Sequence, residues 1–271
     1  MDLAVDYWVA ADLLKWQVEM GADEAILDAP LDRYALEPPA PTAEKPARVD
    51  APAAKDKKGT PPPIPDVLKV DPAAVAARRA ASAKSLEELA ATMEAFEHCD
   101  LRHGARNFIF AEGMPSARVM ILGDAPKRDD DVKGQLFVGP VGVLFDRMFE
   151  AIGLRRDSEL SAEALYVTTL LPWRTPSDRT PSADEVEMML PFVKKHISLV
   201  APDVLVLFGG VTCQTFLGQG GMARKRGHWA EIEGRPALPM FHPMQVMGDP
   251  DKKRDTWADL LSLKAKLREL Q

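Results

Sequence analysis

The sequence predicts an α/β fold, a parallel sheet with helices on both faces, from three observations. Four short apolar runs stand out: Arg118–Leu122, Leu165–Leu170, Val204–Phe208 and Ala237–Phe241. They are rich in Val, Leu, Ile or Met, as strands buried on both faces are. The first three are separated by helical stretches, Val141–Ile152 and Ala183–Val200, and strands alternating with helices pair in parallel. Turn glycines and reactive side chains follow directly on the four runs, where ligands bind in open parallel sheets.

Taken in order, Asp6 to about Asp28 has the spacing of a short amphipathic helix, with Trp8, Val9, Leu13 and Trp16 on one side. A helical arm is therefore expected over residues 1–35. Residues 36–66 are rich in Pro, Ala and Lys, include the triple proline Pro61–Pro63, and hold almost no large apolar side chain. That composition predicts a disordered linker. The arm is tethered by it, either to dock on the main domain or to recruit an unknown protein partner. The main domain is expected over 67–271. Its first helix starts at Asp71-Pro72. The second is marked by a capping box, Ser85 with Glu88, and runs to about Glu97. A further helix follows Gly210, and Lys252–Leu270 closes the chain.

Composition bounds the function without choosing it. The formal charge is -7, but residues 1–66 carry 13 of the 41 acidic and 7 of the 34 basic residues. The remaining 28 acids and 27 bases nearly cancel, which leaves the domain free to present a local basic face. Cys99 and Cys213 are the only cysteines; two thiols exclude a disulfide scaffold and cannot complete a four-cysteine metal site. The first residues lack a basic region ahead of an apolar run, and no apolar stretch approaches the roughly 20 residues of a membrane span. A cytoplasmic protein that does not enter membranes is expected.

The rim beyond the strands carries the chemistry. After the first run come Gly123-Asp124-Ala125-Pro126 and then Asp129, Asp130 and Asp131; the second ends on Thr168 and Thr169; the third gives Gly209-Gly210 and the fourth His242-Pro243. Gly134, Phe137, Val138, Gly139 and Gly142 follow the aspartates. Glycines there let backbone approach a ligand, and Phe137 offers a ring face for stacking. Each piece has an ordinary reading as well: a tight turn, a solvated acidic loop, a structural histidine. Their joint order is the specific signal.

That order resembles the uracil-DNA glycosylase superfamily, and within it the family-4 branch. The similarity runs from about Ser85 to Leu267 and rests on five colinear blocks: FEHCDLRHGARNFIFAEG, GDAP…DDD…GQLFVGPVGVLFDRM, YVTTLLPWRTPSDRTPSADE, PDVLVLFGG and RGHWAEIEGRPALPMFHP. The resemblance implies a three-layer α/β/α sandwich around a four-stranded parallel sheet. It implies a monofunctional enzyme that flips a deaminated base from DNA and hydrolyses its N-glycosidic bond. Asp124 matches the first acid of the family's GEAPG motif, with Gly123, Ala125 and Pro126 beside it. Asp124 or Asp130 would face the water, Phe137 would stack on the base, and His242 would hydrogen-bond its developing negative oxygen. Met244 and Gln245 fall in the loop that probes the duplex; the methionines Met244 and Met247 would either wedge into the base stack or simply pack on the surface. Lys127, Arg174, Arg179 and Arg224 are expected on DNA phosphates, with Lys225 and Arg226 in the same basic cluster. The partner is then DNA holding a damaged or deaminated base, and a monomer suffices.

Several positions depart from the family pattern. Of the four cluster cysteines only Cys99 is matched, with Trp173 and Met189 at two of the others. No cofactor is therefore expected, neither an iron–sulfur cluster nor a metal. Lys127 replaces the last glycine of GEAPG, and Met244 the serine of the HPS motif. Thr169 stands where the family reads uracil with asparagine; a single hydroxyl predicts weaker uracil discrimination or another deaminated base. Two other readings remain at this point: a DNA-binding paralogue without turnover, and a magnesium-dependent phosphotransferase built on the aspartates.

Overall fold

A computed structural model of the chain describes residues 71–220 and 222–270. The helical arm and linker expected over residues 1–66 lie outside the described residues. From Asp71 onward the architecture is a three-layer sandwich. The sheet has six strands in the order β1-β3-β2-β4-β6-β5: β1 Glu112–Gly113, β2 Val119–Gly123, β3 Leu165–Thr169, β4 Val204–Phe208, β5 Ala230–Ile232 and β6 Arg235–Met240. The four central strands pair in parallel, as the apolar runs predict. The additional two are short antiparallel edges. Every residue of β2, β3 and β4 is buried, which is why these strands read as continuous apolar runs and not as alternating ones.

Helices cover both faces. On one side lie α1 (Pro72–Ser82), α2 (Leu86–Glu94) and α6 (Ala183–Val200), around a core of Phe96, Phe192, Leu122 and Leu207. On the other, α5 (Gly139–Glu150) and α10 (Lys252–Glu269) bury Phe145, Phe149, Leu260 and Leu263 against Ile121, Val206 and Leu238. Local chemistry sets the helix starts. Asp71 accepts from the Ala73 amide ahead of Pro72, Ser85 accepts from the Glu88 amide, and Ser182 and Glu185 cap one another's amides. Glu88 differs slightly from the expected box, because its carboxylate takes the Lys84 amide and not that of Ser85.

The remaining short elements sit on the rim: α3 Leu101–Gly104, α4 Arg128–Lys133, α7 Gly210–Leu217, α8 Met222–Lys225 and α9 Pro243–Gly248. One of them corrects the sequence reading. The run Asp129–Asp131 is not a solvated loop but the first turn of α4, with Asp130 and Asp131 buried. Acidic residues favour a helix N-terminus, and these two are also needed as acceptors for loop amides.

Candidate active site

Parallel register brings the rim together. Gly123 pairs with Thr169 across β2 and β3, Leu122 with Leu207 across β2 and β4, and Phe208 with Met240 across β4 and β6. The carboxyl ends of four strands therefore deliver Asp124, Thr169, Gly209 and His242 to one region. Gly123, Asp124, Lys127, Phe137, Thr169 and His242 are among the residues lining a recess of about 70 Å³ there. Ala125 lines it too, and Pro126 is buried behind it.

Asp124 is held from two sides. Its Oδ1 accepts hydrogen bonds from the backbone amide and the hydroxyl of Thr212, each at 2.7 Å. Its carboxylate lies so close to Gly209 that a Cβ there would collide with it. Gly209 also has φ +103°, a backbone conformation side chains resist. The second glycine-rich turn thus makes room for the first turn's acid. Thr212 is a site residue that the motifs did not indicate; its place two residues after Gly210, in the first turn of α7, is the signal that could have found it.

Phe137 is buried with φ +50°, an uncommon conformation for a bulky residue and one that persists only where surroundings enforce it. Its ring stacks on Phe145 at a centroid distance of 4.6 Å and on His242 at 5.3 Å. Asp130 serves this loop. One oxygen accepts from the Lys127 amide and the other from the Val138 amide, both at 3.0 Å. Burial pushes its carboxyl pKa upward. Asp131 accepts from the Arg106 and Asn107 amides. Both acids therefore tie loops together, and of the two carboxylates expected to face water, Asp124 is the one not occupied with backbone on both oxygens.

His242 caps α9. Its Nδ1 accepts from the Met244 amide at 3.1 Å, and its own amide donates to the side-chain oxygen of Gln245. Accepting at Nδ1 requires the neutral tautomer with hydrogen on Nε2. Burial, helped by the Lys127 charge, lowers its pKa to about 4. The free-chain value is about 6.5, so the group's contribution to stability is complete above that and is lost as pH falls through about 4. In protein labelled with ¹³C-histidine, the His242 resonance is expected to keep neutral-imidazole shifts at pH 6. A midpoint near the free-chain value would contradict this environment.

Thr169 is buried and its hydroxyl donates to the Leu171 carbonyl at 2.7 Å. Met244 and Met247 are each 46% exposed around the buried Val246. Among the expected phosphate contacts, Arg224 is exposed. Arg174 pairs with Asp178 at 2.7 Å and Arg179 with Glu185 at 2.6 Å. Arg226 turns inward toward Asp259 and the Phe241 ring, and Lys225 reaches the Gly218 carbonyl.

The chain is similar to known proteins. The Uracil DNA glycosylase superfamily matches residues 110–261. Curated relatives include a protein named Type-4 uracil-DNA glycosylase from Archaeoglobus fulgidus, 29% identical over 185 residues, 65% of this chain and 90% of that protein. One of the same name from Sulfurisphaera tokodaii is 27% identical over 196 residues, 69% of this chain and 84% of the other. A protein named DNA polymerase from Bacillus phage SP01 is 27% identical over 158 residues, 58% of this chain but 16% of its own length.

These relatives overturn the expectation of no cofactor, because the type-4 class to which they are assigned carries an iron–sulfur cluster. The donors in this chain do not fit the usual four thiolates. Cys99 and Cys213 are its only cysteines, both are buried, and burial pushes their thiols up to about 11 and about 12. Among the described residues no three His, Cys, Asp or Glu side chains converge on a metal position. Class and donor set disagree, and no chemical step below runs through such a group.

Proposed function

The chain belongs to the uracil DNA glycosylase superfamily, and from that premise we propose that it is a monofunctional DNA glycosylase acting on uracil in base-excision repair. The observation that carries this reading is one recess lined by a carboxylate, a buried phenylalanine ring and a neutral histidine, Asp124, Phe137 and His242.

The base, turned out of the duplex, stacks on Phe137. As the C1′–N1 bond breaks, its electron pair moves into the base and positive charge builds on the sugar. The Nε2 hydrogen of His242 meets the negative oxygen, and the neutral ring does so without transferring a proton. Asp124 stabilises the sugar cation and orients a water, whose oxygen bonds to C1′ while its proton passes to the carboxylate or to solvent. The products are an abasic site and the uracil anion, which takes up a proton from solvent on release.

Thr169 bears on base choice. With its hydrogen committed to the Leu171 carbonyl, the hydroxyl offers a base only acceptor lone pairs. Those suit the N3–H of uracil and repel the unprotonated N3 of cytosine. Discrimination then comes from one polarity-fixed contact in place of an amide's two. Met244 and Met247 are suited to wedge into the stack behind the flipped base, and Lys127 and Arg224 to meet phosphates. The paired Arg174 and Arg179 would first have to leave their carboxylates. A monomer working in the cytoplasm accords with this reading, as does an unknown protein partner for the N-terminal arm.

A strand-cleavage assay tests the proposal. Oligonucleotides carrying one uracil, hypoxanthine or xanthine are incubated with protein and EDTA, then treated with alkali. Cleavage at uracil that needs the alkali step is expected. Cleavage without alkali would make the enzyme a lyase, and binding with no cleavage of any substrate would make it a paralogue without turnover.

A further inference from the structure

We propose that Arg156 and Glu112 are positioning residues that hold Phe137 in its strained backbone conformation, gripping the residue before it, Leu136, from outside the recess. The proposal rests on the glycosylase reading above, which makes Phe137 the base-stacking residue. Glu112 sits on the edge strand β1, and its carboxylate accepts from the Leu136 amide. Arg156, beyond the end of α5, donates through Nη1 to the Leu136 carbonyl at 2.8 Å and to Glu112 at 3.2 Å. Its other face is fixed by two hydrogen bonds to Asp146, at 2.8 and 2.9 Å. Both polar groups of Leu136 are thus tied to one ion network.

The same guanidinium lies 5.1 Å from the centre of the Phe145 ring, and Phe145 is the ring on which Phe137 stacks. Arg156 therefore supports Phe137 twice, through backbone and through the underlying ring. A positive φ at a buried phenylalanine needs such surroundings. Ordinary packing would not require a half-buried ion network with both partners directed at one residue; partial burial raises the Glu112 pKa, so the network forms against a desolvation cost. Arg156 and Glu112 do not line the recess, whereas Leu136 and Phe137 do, so their effect on catalysis is transmitted through that segment.

A double-mutant cycle on the full chain separates this from a general structural role. Uracil excision is measured for wild type, Arg156→Gln, Phe137→Ala and the double variant, with thermal stability recorded alongside. Arg156→Gln is expected to lower kcat/KM about ten- to hundredfold, the scale of an ångström-level misplacement. In the Phe137→Ala background the same change should cost less than about twofold, because the ring it positions is gone. Should Arg156→Gln fail to fold, Glu112 carries the test: Glu112→Gln keeps an acceptor for the Leu136 amide and should retain activity, whereas Glu112→Ala should lose it, again only when Phe137 is present. Equal losses in both backgrounds, or full activity in Arg156→Gln and Glu112→Ala, would overturn the proposal. Wild-type protein without uracil excision would remove the glycosylase reading, and the proposal with it; an active wild type with an additive cycle would remove the proposal alone.

Discussion

Asp124→Asn is expected to reduce uracil excision by about 10²- to 10³-fold, while the protein stays folded and continues to bind uracil-containing duplex. The amide has the carboxylate's size, so it fits over Gly209, and its oxygen still accepts from the Thr212 amide and hydroxyl. What it lacks is the negative charge that would oppose the sugar cation and orient water. Single-turnover excision and gel-shift binding measured together separate the two effects. Asp130→Asn provides the contrast. Both oxygens of Asp130 accept backbone amides, and an amide side chain can accept on only one. That variant should lose about 1–3 kcal/mol of stability, with its activity falling mainly as the Phe137 loop loosens. A larger chemical defect at Asp130 than at Asp124 would reverse the assignment of the water-facing role.

Gly142→Ala should be the most damaging single methyl group near the site. A Cβ at this position of α5 would run into the carbonyl of Phe137, within a loop whose neighbouring peptide is already fixed. Neither backbone can retreat without breaking the helix start or releasing the ring. A loss of about 3 kcal/mol or more is expected, which for a domain of this size is roughly 6–12 °C in Tm, accompanied by a fall in excision. Gly210→Ala is the matched control. It also lies at a helix start on the rim, but a Cβ there meets nothing within 4 Å, and its Tm should stay close to wild type. A Gly142→Ala protein as stable as that control would mean the loop relaxes far more easily than its contacts imply.

What the sequence makes legible divides by the range of the interactions involved. Strands buried on both faces write themselves into the chain as apolar runs, so the four central strands and the rim beyond them were legible. So was α6, whose Ser182–Glu185 box and length are both local signals. β1 and β5 were not, because two or three residues carry no period. The aspartates after β2 misled for a related reason. An Asp-rich run looks solvated until the amides it must satisfy are known, and those of Arg106 and Asn107 lie more than twenty positions earlier. Arg156, Glu112 and Thr212 act across comparable or longer separations. The tautomer of His242 and the direction of the Thr169 hydroxyl depend on single hydrogen bonds, which no residue pattern encodes.

The short strands at the two ends of the sheet have a consequence for how the protein behaves when concentrated. Strands as apolar as β2, β3 and β4 would be hazardous if their ladders lay open, since an unpaired flank is a template for adding chains one after another. Here the outermost positions are taken by β1 and β5, which run against their neighbours and are only two and three residues long. A flank that brief offers an incoming segment too few amides and carbonyls to hold it. Fibril growth and strand exchange between molecules are thereby discouraged at the same two elements, one of which, β1, also carries the glutamate that steadies the stacking ring.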